Sequence, residues 1–208
     1  IVGAQDDTFD YDNGWTGRGQ FWLGVQTLPA NKGFENDGCA QTDECGQYGN
    51  GPSSPQIYNA TVFGNDQTNG ETVYGLHLRE NIEGEYNNVM VANFQKSGSD
   101  FHPIFVETGD NTDQKVGNQL TFAGNFTYNN TNDSQGLSYA SDLNITELSS
   151  DPFTNADPAN GNFDFSLKSG SDAATGGSQV PSDNFFTQVN FSGAVGVSGS
   201  ADDWTTGA

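Results

Sequence analysis

Basic residues are nearly missing from this chain. Arg18, Lys32, Arg79, Lys96, Lys115 and Lys168 stand against 27 Asp and Glu in 208 residues, a formal net charge of −21. So anionic a surface is repelled by nucleic acid and by anionic lipid, which excludes both as partners. Cations, cationic surfaces and neutral glycans stay open, and counterions of a salty medium would screen the self-repulsion. Long apolar runs are also missing, so membrane insertion is not expected. No window of a dozen residues keeps an apolar stripe at helical spacing, which excludes a helical bundle. Cysteine is down to Cys39 and Cys45, with no CxxC pair and no Cys/His array, so a structural zinc site is excluded. Phosphate loops, dinucleotide fingerprints and the G-x-S-x-G elbow are absent, and a Ser-His-Asp triad around His77 or His102 has no supporting context. There is no initiating Met; Ile1-Val2-Gly3-Ala4 reads as a processed or truncated end.

What is present is turn chemistry and short apolar runs. Gly (27) and Asn (23) are scattered throughout, while 15 Phe, 7 Tyr and 3 Trp argue against disorder of so charged a chain. Runs of strand type lie at 19–25, 56–63, 73–78, 88–94, 104–106 and 119–122, each bounded by turn residues. Tyr58-Asn59-Ala60-Thr61-Val62-Phe63-Gly64-Asn65 aligns with Tyr86-Asn87-Asn88-Val89-Met90-Val91-Ala92-Asn93 at a shift of 28, with another strand between the copies. A repeat of that length holding two or three strands suits one coil of a solenoid. Its strands would pair with equivalents above and below, and Asn at recurring turns would take left-handed backbone geometry. The expected fold is therefore all-β, a parallel β-helix, with a β-sandwich as the alternative. Residues 1–138 read as coils, and 139–208, richer in Ser, Asp and Gly, as an irregular closing region of the same domain.

Two stretches carry a family resemblance. Asp157-Pro158-Ala159-Asn160-Gly161-Asn162-Phe163-Asp164-Phe165-Ser166-Leu167-Lys168-Ser169-Gly170-Ser171 resembles the "DPANGDFRLQSGSPA" closing coil of bacterial right-handed parallel β-helix proteins. Phe185-Phe186, Val189-Asn190-Phe191, Gly193-Ala194-Val195-Gly196 and Trp204-Thr205-Thr206-Gly207 resemble the "FFxxVDYIGAFG…WTxGW" ending of large secreted or surface proteins of marine and Bacteroidetes-like bacteria. The opening, 2–10 and 14–21, looks like a coil of the same group. The resemblance implies a right-handed parallel β-helix and export, and it implies no established activity. Asp172 stands where the group has Pro, and the second Trp of the ending is missing.

Several constellations could carry chemistry. Asp6, Asp7, Asp10 and Asp12, with Asn13 and Gly14, bring oxygen ligands together within a short acidic opening, so Ca²⁺ is a candidate cofactor. They lack EF-hand spacing, and a solvated acidic turn is the plainer reading. Glu35, Asp37, Asp43 and Glu44 form a weaker acidic group around the cysteines. Cys39 and Cys45, in a polar loop of an exported chain, are expected to form a disulfide. A polysaccharide lyase needs a basic proton abstractor beside acids; Arg79 is the candidate, with His77 two positions earlier on the same strand face. The plainer reading pairs Arg79 with Glu80 or with an acid of a neighbouring coil. A glycosidase needs two carboxylates across a groove, which an excess of acids hides. Trp15 and Trp22, with Tyr11 and Phe21 nearby, are candidate sugar-stacking residues, although strand alternation would turn some of them inward. Six N-x-[ST] sequons, at Asn59, Asn125, Asn129, Asn132, Asn144 and Asn190, are ordinary in so Asn-rich a chain.

These observations point to a secreted or cell-surface structural protein without catalysis, serving in adhesion, matrix or filament assembly. The alternatives are a glycan-active enzyme, lyase or glycosidase, and a carbohydrate-binding module. A basic residue with two or more acids along one groove would favour the enzyme, and a row of exposed aromatics would favour binding. The unshielded first residues raise head-to-tail self-association as a further expectation.

Overall fold

The computed structural model describes residues 1–27, 29–39, 51–65, 73–94, 103–130 and 140–205. Among these, three parallel sheets are laid down one strand at a time. The first coil contributes β1 (Phe9–Tyr11), β2 (Arg18–Gln20) and β3 (Leu23–Val25); the second, β4 (Lys32–Asp37), β5 (Gln56–Tyr58) and β6 (Thr61–Phe63). The third gives β7 (Tyr74–Arg79), β8 (Gly84–Asn87) and β9 (Met90–Ala92); the fourth, β10 (Ile104–Val106), β11 (Leu120–Ala123) and β12 (Asn125–Tyr128); β13 (Ile145–Leu148) begins another turn. The first sheet is β1-β4-β7-β10, the second β2-β5-β8-β11 and the third β3-β6-β9-β12-β13. Every pairing in them is parallel and joins one coil to the next. A sandwich built of hairpins is thereby overturned, and the fold is a parallel β-helix.

Stacking makes the core. Phe34, Leu76 and Ile104 lie in one register on the first sheet, Ile57, Tyr86 and Phe122 on the second, and Val62 with Val91 on the third. All but Phe122, at 4 %, are fully enclosed. Each such side chain contributes on the order of 1.5–3 kcal/mol of burial. The turn from second to third sheet uses Asn59 (φ 51°), Asn88 (φ 57°) and Gly124 (φ 65°) at equivalent positions, residues that tolerate left-handed backbone.

The repeat is real but shifted by one residue from its apparent alignment. Ile57, not Tyr58, stacks on Tyr86, and Thr61 stacks on Met90, a step of 29. A one-residue slip exchanges the faces of a strand. Tyr86 accordingly lies inside, while Tyr58 faces outward into a cluster with Val180 and Phe186.

The closing region holds β13 at its start, then an antiparallel hairpin of β14 (Phe153–Asp157) and β15 (Asn162–Leu167). Its turn is the Asp157-Pro158-Ala159-Asn160-Gly161 stretch, with Gly161 at φ 80°. Phe153 and Phe165 pack on Phe63 of the third sheet. Residues 171–205 then run along the outside of the coils. Ser178 bonds Asn88, Thr187 bonds Gln20, the Ala194 amide donates to Thr61 Oγ1, and Arg18 pairs with Asp183 beneath the rings of Phe185 and Phe186. No helix among the described residues is long and apolar enough to cross a membrane.

Candidate functional site

The outer face of the first sheet is not covered in this way: no residue of the closing region enters an apolar cluster there among the described residues. Strand alternation sends Phe34, Asn36, Leu76, Leu78, Ile104 and Val106 inward, and so turns Glu35, Asp37, His77, Arg79 and Phe105 outward. Register places Asp10, Glu35, His77 and Phe105 in one row across four strands, and Asp37 beside Arg79 in the next. Lys32 and Tyr74 join them at the start of β4 and β7. Behind those two, a Cβ on Gly33 would come within 2.5 Å of the Gly75 carbonyl, and one on Gly75 within 2.1 Å of Val91, so only glycine fits.

Together these side chains line a shallow groove of about 440 Å³ whose walls are Lys32, Glu35, Tyr74, His77, Arg79, Phe105 and Glu107. Glu35 is its hub, with one carboxylate oxygen 3.0 Å from Lys32 Nζ, 3.2 Å from an Arg79 nitrogen and 3.6 Å from His77 Nδ1. His77 Nε2 lies 3.1 Å from Glu107. Arg79 grips Asp37 through two nitrogens, at 2.5 and 2.9 Å. The rings of Tyr74 and Phe105 stack 5.0 Å apart and 12° from parallel, with His77 against both.

The electrostatics separate the acids. Hydrogen bonding from His77 and the nearby Lys32 ammonium hold Glu35 well below the usual carboxylate range, against the cost of its burial. Burial, and then the neighbouring Glu35 carboxylate, push Asp7 up to about 8. Asp10 is also raised, by burial first and then by Glu35, Asp37 and Asp12. The hydrogen bonds to Asp37 raise Arg79 further above its ordinary value, so it stays cationic.

The sequence candidates therefore fare differently. Arg79 and His77 do meet acids along one groove, but Arg79 is an ion-pair partner of the preceding coil and cannot serve as a free base. Asp7 turns to Lys32 and Glu35, while Asp6, Asp10 and Asp12 are exposed. No group of three His, Cys, Asp or Glu among the described residues is arranged to hold a metal ion. Trp15 and Trp22, the sugar-stacking candidates, sit at the first coil. Both are packed against the core, Trp22 at 5.0 Å from Phe9 and stacked on Phe34 at 6.4 Å, Trp15 at 4.3 Å from Tyr11. Both are half-buried and lie outside the strands, Trp15 before β2 and Trp22 between β2 and β3. Cys39 is buried at the end of β4, and Cys45 lies outside the described residues. Lys32, Tyr74, Phe105 and Glu107 escaped attention in the sequence; the register that pairs Lys32 with Tyr74 and His77 with Phe105, and the His77–Glu107 contact, bring them out.

A family model described as "Pectate-lyase like beta helix domain" matches residues 1–177. The chain belongs to that family. The match takes in all thirteen strands of the three sheets, the hairpin and the first residues of the outer segment. No curated protein and no solved structure matches the chain.

Proposed function

We propose that this domain works outside the cell and holds a neutral polysaccharide on the outer face of the first sheet, as an adhesive or matrix element rather than as an enzyme. The observation that carries the reading is the groove itself: a stacked Tyr74–Phe105 platform flanked by Lys32, His77 and Glu107. Flat rings receive the apolar face of a pyranose, and charged groups at its edge bond hydroxyls. Lys32 and Arg79 are outnumbered on this face by Asp10, Glu35, Asp37 and Glu107, which disfavours uronate chains and favours uncharged ones. Successive coils would present the same face along a chain.

Against catalysis stands the use of the charges. A base must be free to take a proton, and Arg79 is locked to Asp37. A hydrolytic pair needs carboxyls roughly 5–9.5 Å apart, whereas Asp7 and Glu35 share a hydrogen bond. One observation favours hydrolysis as a second reading: a protonated Asp7 beside an ionised Glu35 divides acid from base as such enzymes do. Incubation with a panel of neutral and uronate polysaccharides decides between them. Retention on neutral polymers with no new reducing ends and no unsaturated products is the expected result. Reducing ends lost in Glu35→Gln would establish the hydrolase, and failure to bind any polymer would end the glycan reading. Head-to-tail stacking of copies is part of the matrix reading, and end-to-end rods in electron micrographs would support it.

A further inference from the structure

The third sheet ends in a ladder of side-chain amides that stops short. Asn129, Asn93, Gly64 and Gln26 follow the strands in successive coils at equivalent positions. Asn129 Nδ2 donates to Asn93 Oδ1 at 2.8 Å, and Asn93 Nδ2 donates to the Gly64 carbonyl at 3.0 Å. Gly64 has no amide to pass on, and a Cβ there would lie 2.5 Å from the Asn93 carbonyl, so glycine is required. Gln26 is thus left 2 % exposed with neither its Oε1 nor its Nε2 hydrogen-bonded. An unmet buried carboxamide costs on the order of 1–3 kcal/mol, so its persistence calls for a ligand.

Beside it lies a cleft of about 520 Å³, between the ends of the third-sheet strands and the β14–β15 turn. Gln26, Phe63, Asn93, Asp157 and Ala159 line it. We propose that this cleft is a second binding site, separate from the groove, for a neutral oligosaccharide of about two or three units, a size that fits so large a cleft. A carboxamide with both a donor and an acceptor free matches a hydroxyl group, which also donates and accepts. Phe63 offers a ring edge, and Asp157, already accepting from Asn160 at 2.7 Å, has acceptor capacity left for a further hydroxyl. The Asp157-Pro158-Ala159 turn is then the outer wall of the site.

Calorimetric titration of the folded chain in a Phe105→Ala background, which silences the groove, tests this with neutral cello-, xylo-, manno- and galacto-oligosaccharides. One series should bind, and Gln26→Met should weaken it by about tenfold or more, the loss expected for one buried hydrogen-bonding group. Without sugar, Gln26→Met should raise Tm, because an unpartnered amide is removed. Ala159→Trp, an exposed substitution at the mouth, should block binding while leaving Tm unchanged, and it serves if Gln26→Met fails to fold. Absence of binding by every series, or equal binding in Ala159→Trp, would overturn the proposal.

Discussion

Two sides of the β-helix meet the outside in opposite ways. The second and third sheets are covered: Tyr58 lies under Val180 and Phe186, and Val25, Phe63, Met90 and Ala92 lie under Phe153, Phe165, Phe191 and Val195. The third sheet's outward residues are apolar because another layer of the same chain completes them, and on the second sheet that layer is held by Tyr58 and by polar bonds to Arg18 and Gln20. The first sheet's outward residues are Glu35, Asp37, His77, Arg79 and Phe105, charged or aromatic, and they satisfy each other across coils instead. The same alternation builds both sides, so the difference lies in which side the closing segment was given to hold. A side that no apolar layer covers among the described residues is where a ligand is expected.

The contrast is broken most severely on the covered side. Phe165→Ala, at a site 1 % exposed among Phe63 and Phe153, should cost about 3–5 kcal/mol and lower Tm by roughly 10 °C in a domain of this size. Glycan retention by the folded fraction should not change. Equal destabilisation by Phe105→Ala would mean that the two sides are not different in kind.

A smaller effect is expected from the cysteines. If Cys39 and Cys45 are joined, their short loop contributes about 2 kcal/mol. Thermal denaturation with and without reductant, and mass measurement after alkylation, check this together. Full alkylation without reductant would refute the pairing.

Smaller still is the pH effect of the bare side. Asp7 binds its proton more tightly folded than unfolded, so stability is full below its ordinary value near 3.8 and is lost as pH rises toward about 8. Glu35 acts oppositely: its contribution is present above the ordinary glutamate value and is lost only in stronger acid. Tm should therefore fall from about pH 5 to pH 8, and Asp7→Asn should flatten that fall. An identical slope in the variant would show that general repulsion among the acids, not this pair, sets it.

Much of the architecture was legible. Asn and Gly turns, short runs and the repeat give stacked coils, since each is a local consequence of backbone preference and alternation. The register was not, because matching Tyr58 to Tyr86 by identity ignores that one is outside and the other inside. The groove suffered for the same reason. Glu35, His77 and Phe105 are far apart in the chain, on strands whose spacing changes from coil to coil, so no sequence window holds them. His77 and Arg79 could be singled out, but not their partners. Trp15 and Trp22 could be named, but not the half-buried packing against Tyr11, Phe9 and Phe34 that the first coil gives them.

The central claim is that the first sheet's outer face, and not exposed aromatic surface in general, holds the glycan. Affinity electrophoresis through gels containing a neutral polysaccharide, in an Ala159→Trp background that blocks the cleft beside Gln26, tests it directly by comparing Phe105→Ala with Phe163→Ala, the latter removing a ring 46 % exposed on the hairpin. Retardation should be lost in Phe105→Ala and kept in Phe163→Ala. Retardation unchanged in Phe105→Ala, or lost in both, would contradict the account.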